Sequence, residues 1–127
     1  MSYGFSKIVD LPFDATVEKV TAELQKEGFG VLTTIDVQET LKKKLNVDFK
    51  KYKILGACNP PFAHKALQAE EEIGLLLPCN VVVYEKEGKS VVAAFDPMSM
   101  SRVMENPAVE PIAEEMKRRL ERVIGAV

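Results

Sequence analysis

The feature that most constrains this fold is a pair of apolar runs, residues 79–85 and 90–96, joined by a short charged stretch. Two such runs around Glu87-Gly88 are typical of a β-hairpin with a two-residue turn. An antiparallel pair with one solvent-exposed face alternates apolar and polar residues, and these two runs do not alternate. We therefore expect both faces of this hairpin to be covered, by helices or by a partner subunit. The expected register gives apolar pairs on both faces: Val83 with Val92 and Val81 with Ala94 on one, Tyr84 with Val91 and Val82 with Ala93 on the other.

The residues before the hairpin predict three more strands and a first helix. Strands are expected over residues 3–10, 31–37 and 52–58, where β-prone residues run between turn signals. Asp14 is a favourable N-cap for the helix that follows the first strand. Gly28 then stands where a left-handed residue ends a helix, and Phe29 is expected to pack back on Leu24 in a Schellman motif.

Three further helices are predicted from caps and apolar spacing. Asp36 and Glu39 have the spacing of a capping box, which predicts a short helix after the second strand. Residues 62–73 have a helical pattern, with a buried side formed by Ala63, Ala66, Leu67 and Ile73. A last helix begins at Asn106-Pro107 or at Glu110-Pro111, since both pairs resemble an N-cap followed by proline, and its apolar stripe is Ile112, Ala113, Met116, Leu120, Val123 and Ile124.

The element order is therefore β-α-β-(α)-β-α-β-β-α. No repeat, low-complexity segment or internal boundary interrupts the chain, so residues 1–127 are predicted to form a single α+β domain. We expect its helices to pack mainly on one face of the sheet.

Charge and hydropathy exclude several classes of protein. The net charge of −2 gives no global basic field for nucleic acid, and no apolar run approaches the ~18 residues of a membrane span. Two cysteines without a secretory signal are typical of reduced thiols in the cytoplasm. A lysine cluster is interpreted as a solvated helix face with its loop rather than as a phosphate site: Lys42, Lys43, Lys44, Lys50, Lys51 and Lys53.

The stretch ACNPPFAH, residues 57–64, joins the third strand to the next helix and gathers unusual residues. Asn59 as N-cap and Pro60 at the first helical position explain it as a capped strand-to-helix corner. A thiol at such a position meets the positive end of the helix, which lowers a cysteine pKa. Cys58 is thus a candidate nucleophile, with His64 as its base.

A second Cys-Asn pair, Cys79-Asn80, opens the hairpin and extends the candidate set. Cys58, His64 and Cys79 have the side-chain chemistry that suits zinc or copper, with Asp96 or water as a fourth ligand, although their spacing matches no common metal motif. The residues predicted to bind a small ligand are Cys58, Asn59, His64, Cys79 and Asn80. Met98, Met100 and Met104 are expected to form a flexible flap over a hydrophobic groove or interface.

Residues 54–67, ILGACNPPFAHKAL, and 71–85, EEIGLLLPCNVVVYE, resemble the signature of an uncharacterised bacterial and archaeal family, domain of unknown function number 302. The matching positions are Cys58, Asn59, Pro60, Pro61, Ala63, Leu67, Pro78, Cys79 and Asn80. The resemblance implies a compact α+β domain with a curved antiparallel sheet, a long last helix and a dimeric state. It implies no activity.

Three functions follow from these observations. The first is a dimeric domain that binds a small molecule or metal near the two Cys-Asn corners. The second is a thiol-dependent enzyme that uses Cys58 and His64. The third is a structural or interaction module in which both Cys-Asn pairs only cap and turn the chain.

Overall fold

A computed structural model describes residues 3–127, in which five strands form one open antiparallel sheet. The strands lie in the order β1-β5-β4-β3-β2, and every neighbouring pair is antiparallel. The predicted α+β class and all five predicted strands are confirmed. The strands are β1 Gly4–Val9, β2 Gly30–Asp36, β3 Tyr52–Cys58, β4 Cys79–Lys86 and β5 Lys89–Phe95.

The β4–β5 hairpin has the predicted register. Val81 lies opposite Ala94, and the pairing continues without a shift to Lys86 and Lys89. Glu87 and Gly88 both have positive φ angles, 51° and 79°, as a tight two-residue hairpin turn requires.

Residues 3–127 also form five α-helices and one 3-10 helix, and the last two helices follow the last strand. Their bounds are α1 Phe13–Lys26, α2 Val37–Leu45, α3 Pro60–Ala69, the 3-10 helix Glu71–Leu76, α4 Met98–Met104 and α5 Glu110–Ala126. None of these helices has both the length and the apolar character needed to cross a membrane.

Two helix caps match the prediction and one does not. Phe29 N–H donates to the Leu24 carbonyl and Gly28 N–H to the Gln25 carbonyl, which is the Schellman pattern. The Asp36 side chain accepts from Glu39 N–H at 3.0 Å and caps α2. The prediction of Asp14 as N-cap was wrong, because Pro12 is the N-cap residue and α1 begins at Phe13.

The predicted helix over residues 62–73 is divided into α3 and the 3-10 helix. Glu70 has an extended backbone, with φ −151° and ψ 104°. The Ala69 carbonyl accepts a 3.0 Å hydrogen bond from the side chain of Asn106. Asn106 lies far along the chain from Ala69, so no local sequence pattern predicts where α3 ends.

The last helix, α5, begins at Glu110, which agrees with the second of its two predicted starts.

Helices α1 and α5 pack against each other and on one face of the sheet. Between them and the strands lies the core, which includes Val20, Leu24, Leu55, Val81, Val83, Val92, Met116, Leu120 and Val123. The other face is open, and its edge strands expose 62% of Ile8 and 49% of Ile35. The prediction that helices pack mainly on one face is therefore confirmed.

Candidate functional site

The two cysteines lie at one end of the sheet and line the same cavity. Cys58 is the last residue of β3 and Cys79 the first of β4, and the β3–β4 ladder pairs Cys79 with Ala57. We call the space beside them the corner cavity. It has a volume of about 330 Å³ and is lined by Leu32, Thr33, Ala57, Cys58, Asn59, Ala63, Leu67, Gly74, Leu77, Pro78, Cys79 and Met116.

Irregular backbone and small residues open this cavity. The β2–β3 register shifts between Val31 and Thr33, so Leu32 is a bulged residue, and 68% of its surface is exposed. Gly56 lies against Thr33 and Pro78, where a Cβ atom would come within 2.9 Å of the Pro78 ring. A β-bulge and a close backbone approach therefore shape one wall, while α3 and the 3-10 helix supply the other.

Burial governs the acidity of both thiols. Desolvation raises the pKa of Cys58 above its ordinary value. Cys79 is almost fully buried, and desolvation, together with the neighbouring Cys58, raises its pKa to about 12. The helix N-terminus was expected to lower the pKa of Cys58, but desolvation by burial raises it instead. Both sulfurs are thiols at neutral pH.

His64 does not join the cysteines. It is exposed on α3, and it is not among the residues that line the corner cavity with Cys58. Ala63 and Leu67, spaced by one helical turn, face the cavity, and His64 is rotated by roughly 100° from Ala63 about the helix axis. His64 is therefore not positioned to accept a proton from the Cys58 thiol.

The predicted metal ligands do not converge either. Across residues 3–127, no three His, Cys, Asp or Glu side chains are arranged to hold a metal ion. Asp96, the suggested fourth ligand, accepts a 2.9 Å hydrogen bond from Met98 N–H and forms a 3.1 Å ion pair with Lys117. Zinc takes at least three protein ligands, and two cysteines alone do not supply them, so no metal chemistry is assigned to this site.

Asn59 stands at the N-cap of α3 but does not cap it with its side chain. It is buried, and its amide donates instead to the Glu27 carbonyl at 3.3 Å. Arg119 donates to the same carbonyl at 3.0 Å, and this fastens the end of α1 to both β3 and α5. Asn59 thus lines the cavity, while its side-chain N–H group donates a hydrogen bond that stabilises the fold.

Asn80 lies on the opposite side of the sheet from Cys79, because neighbouring strand residues point to opposite faces. It lines a shallow groove of about 320 Å³ on the open face, which we call the tyrosine groove. Tyr52 and Tyr84 stack there with ring centroids 5.3 Å apart. The two Cys-Asn pairs therefore do not form one site: Cys58, Asn59 and Cys79 line the corner cavity, whereas Asn80 lines the tyrosine groove.

Some residues that line the corner cavity could not be assigned to a site from the sequence. Met116, a residue of α5 that was predicted as core, lines the corner cavity, whereas Met98, Met100 and Met104 lie on α4. Met100 is fully buried, so it belongs to the core and not to the expected methionine flap. The bulge at Leu32 was not predicted, because its cause lies in the pairing of β2 with β3 rather than in local residue types.

The lysine cluster lies on exposed α2 and on the residues that follow it. Lys43 pairs with Glu39 at 2.7 Å and Lys42 with Asp48 at 3.2 Å, as expected of a solvated helix face. The absence of a nucleic-acid partner stays a prediction.

Comparisons with known proteins agree with the fold and add no activity. The family model described as "Domain of unknown function DUF302" matches residues 5–127. A crystal structure of an uncharacterized conserved protein DUF302 from Bacillus stearothermophilus is 31% identical, with a TM-score of 0.92. The match covers 99% of this chain and 98% of that one. No curated protein matches this chain.

Proposed function

This chain belongs to the DUF302 family, and we propose that it is a dimeric domain that binds a small apolar ligand in the corner cavity. The observation that carries the proposal is the chemistry of the cavity wall. Its twelve residues include no charged side chain, and its two thiols keep their protons at neutral pH. Concave, mostly apolar spaces of this size are typical of small-molecule sites.

The same chemistry disfavours the thiol-dependent enzyme. A nucleophilic cysteine needs a lowered pKa or an adjacent base. Here burial raises the pKa of Cys58, and His64 is exposed on another side of α3. Binding therefore accounts for the site better than catalysis. Both cysteines are free, which supports the proposed location in a reducing cytoplasm.

The ligand proposal is tested with an uncharged fluorescent probe, N-phenyl-1-naphthylamine, titrated against the purified protein. Gly74→Leu adds a side chain to the cavity wall at a position where a Cβ atom meets no atom within 4 Å. Gly125→Leu is the matched control, because a Cβ there is equally free and the position is on α5, away from the cavity. We expect saturable fluorescence enhancement in the wild type and in Gly125→Leu, and at least a tenfold weaker response in Gly74→Leu.

Two results would contradict the ligand proposal. One is a wild-type protein whose probe fluorescence does not saturate. The other is equal probe affinity in Gly74→Leu and Gly125→Leu, which would place the probe elsewhere on the molecule. Urea unfolding of both variants shows whether each retains the native fold during the titration.

The dimer is proposed from the open face of the sheet. Ile54, Val82 and Ala93 lie in its middle and Ile8 and Ile35 at its edges, so apolar side chains extend across all five strands. The strand register places the charged side chains of Lys86 and Lys89 on this face at the hairpin tip. A third charge, the Lys50 ammonium group, lies 4.8 Å from the centroid of the Tyr84 ring. An apolar centre with charges at its rim is the usual composition of a subunit interface.

A second copy is the occupant that we propose for this face. A two-fold axis perpendicular to the strands would place the two hairpin tips and their lysines at opposite ends, with one sheet packed on the other as in a β-sandwich. Sedimentation equilibrium should give twice the chain mass of 14.1 kDa. Ile8→Lys combined with Ile35→Lys should give monomer, whereas Val103→Lys, at an exposed position of α4, should remain dimeric. A wild-type monomer at high concentration would contradict the dimer and leave the ligand proposal intact.

A further inference from the structure

We infer that the corner cavity selects an uncharged aromatic molecule of one or two rings, an inference that rests on the proposed ligand-binding function. Three features of the wall carry it: the sulfur-bearing side chains, the absence of charge among the lining residues, and the volume.

Sulfur is concentrated in the wall of this cavity. Cys58, Cys79 and Met116 come from β3, β4 and α5, and the fold brings all three to one space. Thiol and thioether sulfurs are polarizable and make favourable contacts with aromatic rings. No Phe, Tyr or Trp is among the twelve lining residues, so a ring that contacts these sulfurs from inside the cavity has to come from the ligand.

The wall also discriminates by charge. It offers no Lys, Arg or His to an anion and no Asp or Glu to a cation. Its polar side chains besides the thiols are Thr33 and Asn59, and the amide of Asn59 already donates to Glu27. An ion placed here would lose its hydration without a partner, which is unfavourable by several kcal/mol. Thr33, which is exposed, can hydrogen-bond a single hydroxyl at the mouth.

The volume sets the size of the ligand. A cavity of ~150 Å³ accommodates a benzene-sized molecule. The corner cavity, at about 330 Å³, is roughly twice as large and suits two fused rings. Leu32 and Leu67 are 68% and 42% exposed while they line it, so apolar side chains border the entrance as well as the interior.

The test compares three molecules built on the same fused two-ring framework: 2-naphthol, the saturated alcohol decahydro-2-naphthol, and the 2-naphthoate anion. Binding is measured by isothermal titration calorimetry and by methyl NMR shifts of Met116 and Leu67. Each sulfur–aromatic contact is worth roughly two- to tenfold in affinity. We therefore expect 2-naphthol to bind at least about threefold more tightly than the saturated alcohol, and naphthoate to bind too weakly to measure.

Met116→Leu removes one sulfur at nearly constant volume. It should reduce the preference for 2-naphthol over the saturated alcohol, whereas Met104→Leu on α4 should leave that preference unchanged. Equal affinity for 2-naphthol and its saturated analogue would overturn the aromatic selectivity and leave the apolar binding function in place. Tighter binding of naphthoate than of 2-naphthol would also overturn this inference. Failure of all three molecules to bind would overturn the inference and the proposed function together. The wild-type comparison decides the question even if Met116→Leu does not fold.

Discussion

The side-chain amide of Asn59 donates a 3.3 Å hydrogen bond to the backbone carbonyl of Glu27, 32 residues earlier in the chain. Glu27 is the C-terminal cap residue of α1, and its carbonyl also accepts from Arg119 of α5. One carbonyl at the end of one helix thus receives donors from the β3–α3 corner and from the last helix. The corner that holds Cys58 is positioned by this contact.

Asn59→Ala should lower the free energy of unfolding by about 1–2 kcal/mol, because a buried hydrogen bond is lost and the Glu27 carbonyl keeps only the Arg119 donor. Urea denaturation measures the change. Asn80→Ala is the matched control: Asn80 is exposed, its side chain has no hydrogen bond within residues 3–127, and the change should stay within about 0.5 kcal/mol. Equal effects of the two substitutions would show that the Asn59–Glu27 contact does not stabilise the corner.

Gly56→Ala should destabilise the protein by about 1–3 kcal/mol, because the new Cβ would collide with the Thr33 hydroxyl and the Pro78 ring. A threonine side chain can rotate, but a proline ring 2.9 Å away has little freedom to move. Gly30→Ala in β2 is the control, since a Cβ there meets nothing within 4 Å. Thermal unfolding followed by circular dichroism compares them. If Gly56→Ala were as stable as Gly30→Ala, Thr33 and Pro78 would have to move away from the new Cβ atom without loss of stability, which would contradict this prediction.

The elements that could be predicted are those whose causes are local. Glu87-Gly88 and the residues on either side specify the hairpin register, and Gly28-Phe29 specifies the end of α1, because the groups that interact are within a few residues of one another. Tertiary contacts determine the rest. Asn59 was correctly placed at the start of α3, but its hydrogen-bond partner is the cap residue that follows α1 and cannot be predicted from residues 57–64.

The candidate site was predicted in part for the same reason. Two strand ends bring Cys58 and Cys79 to one cavity, which the strand order explains once the β3–β4 pairing is known. Sequence proximity wrongly suggested His64 as a partner of Cys58, because a short separation along a helix does not give a shared direction. Met116, 37 residues after Cys79, reaches the cavity only because α5 packs back on the sheet.

Thiol alkylation should distinguish Cys58 from Cys79. With iodoacetamide, native protein should be modified at Cys58 only, slowly at pH 7, and at a rate that still rises above the ordinary thiol pKa of 9.0, since only the thiolate reacts and burial raises the pKa of Cys58. Mass spectrometry of peptides gives the rate for each residue. In urea, which removes the burial, both cysteines should react alike. A native rate that levels off below pH 8 would reveal an activated thiolate and favour the enzymatic alternative.

The buried Cys79 thiol should make the stability of the protein depend on pH in the alkaline range. Its pKa is raised to about 12 in the native state, against an ordinary value of 9.0 when unfolded. Below pH 9 both states keep the proton, and the contribution to stability is fully present. Between pH 9 and 12 the unfolded state loses the proton while the native state retains it, so the free energy of unfolding should fall by up to ~1.4 kcal/mol per pH unit.

Cys79→Ala isolates this contribution from the lysines and tyrosines that titrate in the same range. Urea denaturation at several pH values between 8 and 11, with reductant present, should give a shallower decline for Cys79→Ala than for the wild type, although the variant is less stable at pH 8 because of the space it leaves. Cys58→Ala should flatten the decline less, because Cys58 is only partly buried. Parallel curves for the wild type and Cys79→Ala would show that the Cys79 thiol ionises as readily in the native state as in the unfolded chain.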